Sequence, residues 1–220
     1  MVFFLFASWL SACGPAAPTV TPVAIRIEYT AAARPWLMKA YTCAGSNVID
    51  AQISSADSLG VSQGDMTMRI GEAIKTTLPT YKIGSDSIEV VGNPKNPVQQ
   101  LDLQQVRDLF TGRIQNWKDL GGADASVEVW VFAAGEDIEQ LFEQKGLSGS
   151  PVTSLARLAV SPAEMVTAVA QDTNAVGILT QAWKAEGIRN LSTVSTEPVL
   201  ITVPAPPKGA VLELIHCLQK

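Results

Sequence analysis

From residue 23 onward, segments with the period of a β-strand alternate with segments carrying the period of a helix, and this order limits the fold more than any other feature. Residues 23–29 (VAIRIEY) alternate apolar and polar side chains, as a strand with one buried face does. Pro35 is tolerated only in a first helical turn, so residues 33–43 read as a helix that Gly45 ends. Residues 48–54 and 65–70 read as the next strands, and Gly71 and Glu72 turn the chain away from the latter. Residues 81–91 form a fourth strand. Two prolines and a glycine in residues 92–97 (GNPKNP) then exclude a helix and make a stiff connector.

The alternation continues. Asp102 caps a helix, Gln105 reaches back as a capping box, and Leu103, Val106 and Phe110 share one face before Gly112 stops it. Residues 127–132 read as a strand, followed by a helix with Ile138, Leu141 and Phe142 on one side. Ser161, Pro162 and Glu164 open another helix as a capping box, with Met165, Val166 and Val169 as its buried side. Residues 174–179 and 197–203 are strand-like, and a final helix carries the stripe Val211, Leu214, Ile215 and Leu218. This order predicts an α/β protein with largely parallel sheets, whose ligands bind beyond the carboxyl ends of strands and often at helix N-termini.

Composition narrows the function. The chain has 220 residues, 47 % hydrophobic, ample for a core in one large domain or two small lobes. Its 16 basic and 21 acidic residues give a net charge of −5, without a Lys/Arg run, which argues against nucleic acid as a partner. The single histidine, His216, rules out a multi-His metal site, and no cofactor or metal is expected. There is no Gly-x-Ser-x-Gly elbow, no further His to act as base, and no carboxylate pair set apart by spacing. A binding module is expected, not an enzyme.

The N-terminus reads MVFFLFASWL, too short to span a bilayer, and runs into Leu10-Ser-Ala-Cys13 and the Pro/Thr/Ala-rich residues 15–22. Segment order suggests a secretory signal with a lipobox-like end, in which Cys13 is lipidated and becomes the mature N-terminus. The alternative is an ordinary apolar start with an unremarkable cysteine. No Lys or Arg precedes the run, which leaves the true start codon open. Cys43 and Cys217 remain: in an exported protein they form either a disulfide or two small buried residues.

Residues 101–117 (LDLQQVRDLFTGRIQNW) resemble a segment of the phosphate-type periplasmic binding proteins: a helix, an Ile/Leu-Phe-x-Gly turn, then Asn-Trp. Residues 90–97 (VVGNPKNP) resemble that family's crossover into its second lobe, residues 161–179 its helix–strand unit, and residues 198–203 with the last helix its return. The resemblance implies a two-lobed, venus-flytrap α/β fold with two crossovers. Lobe 1 would comprise residues 23–95 and 198–220, and lobe 2 residues 96–197, after a signal at 1–13 and a tether at 14–22. It implies a monomer on the outer side of a bacterial cell membrane, held there by its lipid, that captures a phosphate-like or other small anion or polar solute for an ABC permease. A surface sensor, adhesin or assembly factor that has lost its ligand is the alternative on the same fold. Trp117 then serves core packing or stacks on a ligand.

Phosphate binders of that family carry a Ser-Gly-Ser/Thr loop at a helix N-terminus, where hydroxyls and N–H groups wrap the oxyanion. Here the loop reads Ala133-Ala-Gly-Glu-Asp137: the hydroxyls are gone and two carboxylates stand where the anion should approach. Glu136 and Asp137 also suit a helix's first turn. Thr30 matches the family's hydroxyl before the first helix, or is a plain N-cap. Arg69 and Gly71, at a strand end, together with Gly135 and Glu136 complete the candidate ligand-binding set.

Overall fold

The structure, a computed structural model, describes residues 21–59, 64–72 and 76–220. Cys13, the apolar start and most of the tether lie outside the described residues. Two long antiparallel strands organise the chain: β4 (Thr80–Gly92) and β8 (Arg189–Thr202) pair from Thr80 opposite Thr202 to Gly92 opposite Arg189. Beside β8 lie β3 (Met66–Ile70), β1 (Ala24–Tyr29) and β2 (Val48–Ile53). Beside β4 lie β7 (Ala175–Thr180), β5 (Glu128–Val131) and the two-residue β6 (Arg157–Leu158). The result is one sheet in the order β2-β1-β3-β8-β4-β7-β5-β6.

The sheet is mixed, which corrects the expectation of largely parallel pairing. β1 pairs in parallel with β2 and β3, and β5 with β6 and β7. Among the described residues, every antiparallel pair of named strands involves β4 or β8. Each of those strands runs through both halves, so neither can pair like the strand–helix–strand units on either side. The last strand also begins earlier than expected, because residues 189–196 already belong to β8. Pro198 is tolerated inside it. Its carbonyl accepts from Gly71 N–H at 2.8 Å, so its missing N–H faces β3's side beyond Ile70, where that strand has ended.

Helix α1 (Arg34–Cys43) follows a 3-10 turn (Ala31–Ala33) and packs on α5 (Gly209–Leu218). Cys43 and Cys217 are joined by a disulfide, with Cα atoms 5.7 Å apart. In α2 (Leu103–Phe110) the capping box of Asp102 and Gln105 is formed in both directions. Its buried face is Val106, Leu109 and Phe110, while Leu103, on the first turn, is 45 % exposed. α3 (Asp137–Lys145) touches β3, β4, β7 and β8, strands of both halves. In α4 (Pro162–Gln171) Ser161 accepts from Glu164 N–H, but the Glu164 carboxylate turns back to Val160 N–H at 2.7 Å, so the expected box does not close on Ser161.

The 101–117 block builds the second half's interior. Phe110 meets Phe142 edge-on, with ring centroids 4.6 Å apart. Trp117 is buried and its indole N–H donates to Asn174 O at 2.9 Å, which settles its role as packing.

Candidate functional site

Two strand ends of the first half meet the start of one helix of the second. β1 runs into Thr30, β3 ends at Ile70, and α3 begins at Asp137. Thr30 precedes the 3-10 turn, yet its side chain makes no cap hydrogen bond. Its buried hydroxyl donates instead to Asp137 Oδ2 at 2.6 Å. Ile70 N–H donates to the same oxygen at 3.0 Å, and Ile138 N–H to Oδ1 at 2.9 Å. Asp137 is fully buried. Burial pushes its carboxyl above the ordinary range, while the Thr30 hydroxyl, Ile70 N–H, the Arg69 charge and Ile138 N–H pull the other way.

Arg69 is not on the surface. It is 7 % exposed, its charge acts on Asp137, and its Nε is buried with no hydrogen-bond partner. Glu136 stands at the N-cap of α3 without a side-chain cap bond, and its Oε2 is buried and unpartnered. Its carboxyl is raised by burial first and by the neighbouring Asp137 charge second. Of the two glycines Gly71 serves close approach, whereas a Cβ at Gly135 would make only ordinary contact with Asp57. Gly71 has φ +85°, and a Cβ there would come within 2.8 Å of the Leu141 side chain on α3. Gly135 accepts from Ala56 N–H at 3.0 Å, and beside it Gln140 Nε2 donates to Asp57 Oδ1 at 2.9 Å. Thr30, Arg69, Gly71, Gly135 and Glu136 therefore lie along one seam. The sequence reading missed its centre: it gave Asp137 to the helix dipole, and the pair of acids after Gly135 was the signal available.

A second feature opens between α1 and α4. It is a groove of about 670 Å³ lined by Tyr29, Arg34, Met38, Tyr41, Val166, Trp183 and Lys184 among others. The Trp183 indole N–H donates to Ala32 O at 3.2 Å, and the Trp36 indole N–H to Asp86 Oδ2 at 3.0 Å. Asp86 Oδ1 in turn accepts from Ala182 N–H at 3.2 Å, fixing the turn that carries Trp183. Among the described residues, no group of three or more His, Cys, Asp and Glu is arranged to hold a metal, and no helix is long and apolar enough to cross a membrane.

An α/β sheet in two halves, joined by a pair of antiparallel crossing strands and closing on a seam between them, defines a two-lobed binding-protein fold. The family model of the PBP superfamily domain matches residues 48–211, and the chain belongs to that superfamily. The phosphate-binding protein PstS 2 of Streptococcus agalactiae is 35 % identical over 82 residues, a match covering 33 % of this chain and only 28 % of the relative. Among solved structures, a candidate phosphate ABC transporter substrate-binding protein with bound phosphate from Clostridium perfringens superposes with a TM-score of 0.80 at 18 % identity, over 89 % of this chain and 92 % of that one. An ABC-type phosphate transport receptor from Vibrio cholerae gives 0.68 at 21 %, over 89 % and 93 %. These likenesses define the fold.

Proposed function

We propose that the chain is an extracytoplasmic solute-binding protein of an ABC importer, held at the membrane by a lipid on Cys13, that takes a small polar solute or organic anion between its halves. One observation carries this reading: the groove between α1 and α4 sets the cations Arg34 and Lys184 beside Tyr29, Tyr41 and Trp183. Its volume falls in the range of small-molecule sites, and few charges on a largely apolar wall is how such sites orient a ligand. The names of the relatives favour an anion. Free phosphate is the less supported choice, because Glu136 and Asp137 occupy the start of α3 and a like charge at ~4 Å costs about 1 kcal/mol in water and more in a dry cleft.

Thermal unfolding of the full chain in detergent tests this, with phosphate, sulfate, molybdate, amino acids and sugars added singly. A true solute at 100-fold excess over its Kd stabilises by about 2.7 kcal/mol. The expected result is a shift with an amino acid, sugar or organic anion and none with phosphate. A shift with phosphate alone overturns the choice of solute. The second reading, a ligand-free sensor, adhesin or assembly factor, draws support from the bond of Thr30 to Asp137, which joins the halves without a solute. Silence with every solute would favour it.

A further inference from the structure

We propose that Asp137 is an internal ligand: its side chain fills the place between the halves that a free small oxyanion would take, and it is the residue that keeps such anions out. The seat is built of donors. The Thr30 hydroxyl and Ile70 N–H come from the first half, and Ile138 N–H from the first turn of α3. The Arg69 guanidinium adds positive charge, and its buried Nε has no partner of its own. A hydroxyl, two backbone amides and a cation are what a small oxyanion binds in a buried site. Here the hydroxyl and both amides bond one carboxyl group, and the cation's charge acts on it.

The seat also has no room to share. Thr30 and Asp137 are both fully buried, so an incoming anion would have to displace the side chain and not sit beside it. Glu136, adjoining and with one oxygen buried and unpartnered, adds a second acidic group that an entering anion would meet. Because Thr30 and Ile70 belong to one half and Asp137 to the other, the same bonds hold the seam shut in the absence of solute. The Ala56-to-Gly135 and Gln140-to-Asp57 bonds extend that closure along the start of α3.

Replacing Asp137 by alanine leaves a cavity lined by the same donors, and formate carries the two oxygens that have gone. The test is the melting temperature of the full chain, wild type and Asp137→Ala, titrated with formate, acetate and phosphate. The variant is expected to melt lower than wild type and to rise by roughly 5–10 °C at 100-fold excess of formate over its Kd, with wild type unmoved. Phosphate acting like formate on the variant also supports the proposal, and shows that the cavity admits a tetrahedral anion. Formate or phosphate moving wild type as much as the variant overturns it, as does a folded variant that responds to none of the three anions. Should Asp137→Ala fail to fold, amide exchange of Ile70 in anion-free wild type decides. Slow exchange that Thr30→Val accelerates supports the seat, and exchange as fast as in an open loop refutes it. This inference is independent of the transported solute: a wild type that binds no amino acid or sugar overturns the transport reading and leaves the seat untouched.

Discussion

Glu139 sets burial against charge within a single side chain. It is 3 % exposed and accepts from Phe132 N–H at 2.9 Å. Its carboxyl is pushed up to about 7, chiefly by burial, with Glu143 adding to the rise and the Phe132 N–H opposing it. The sign differs from that of a salt-bridged carboxylate. A folded-state value above the unfolded one means that the native state holds the extra proton, so this group's contribution to stability is fully present below pH 4.5 and is lost as pH rises through 7. Between those limits this group removes up to about 3 kcal/mol, from ~1.4 kcal/mol per unit. Glu139→Gln keeps an acceptor for Phe132 N–H and cannot ionise. Urea unfolding at pH 5 and pH 7 should show a smaller fall for the variant. A residual slope of the same sign remains from Glu89, Glu136 and Asp137, all raised mainly by burial. An equal fall in both proteins would show that Glu139 is not the source. The same scale marks where the sequence stops being legible. Thr30 and Arg69 could be chosen from their places at strand ends, and Glu136 and Asp137 from their place before a helix. Nothing in residue order says that Thr30 turns from its own cap to an acid 107 positions away, because that bond exists only once the halves have met.

At the scale of elements the sequence was more informative, since periodicity and punctuation are local properties. Most strand positions, the capping box of α2, and the stops at Gly45 and Gly112 (φ +61° and +78°) follow from residues within a turn or two of each feature, whereas the two-residue β6 was not read at all. What was not legible depended on neighbours distant in the chain. The early start of β8 and the seat of Pro198 follow from where β3 ends. The register shift in β4 between Lys82 and Gly84 is another such case. A Cβ at Gly84 would overlap the Trp36 ring, so the irregular strand passes directly against α1's indole. Gly84→Ala should therefore cost about 1–3 kcal/mol, the usual penalty for overpacking. Because Trp36 donates to Asp86 at the crossing, its displacement should also alter tryptophan fluorescence in the native state. Denaturant midpoints and the native emission spectrum measured together check this. A variant with the wild-type midpoint would mean that the ring moves aside freely.

Over the whole molecule, two kinds of closure act at different places. The seam of Thr30, Ile70 and Asp137 joins one half to the other. The Cys43–Cys217 disulfide instead ties α1 to α5, which pack on each other, and it spans 174 residues of chain. A bridge over so long a loop acts mainly on the unfolded ensemble, contributing about 5 kcal/mol by the chain-entropy account. Lys39, whose ammonium donates to Leu218 O at 2.8 Å, keeps α1 against α5 in the folded state whether or not the sulfurs are joined. The two closures should therefore separate experimentally. Replacing both Cys43 and Cys217 by serine should lower the unfolding free energy by that amount yet leave Ile70 amide exchange under native conditions close to wild type, since the seam is not strained by the bridge. Asp137→Ala should do the reverse to the amide, freeing it even in the oxidised protein. If the double serine variant freed Ile70 as fully as Asp137→Ala does, the helix clamp and the seam would be one cooperative unit, and the first half's covalent closure would be what positions Thr30 and Ile70 for Asp137.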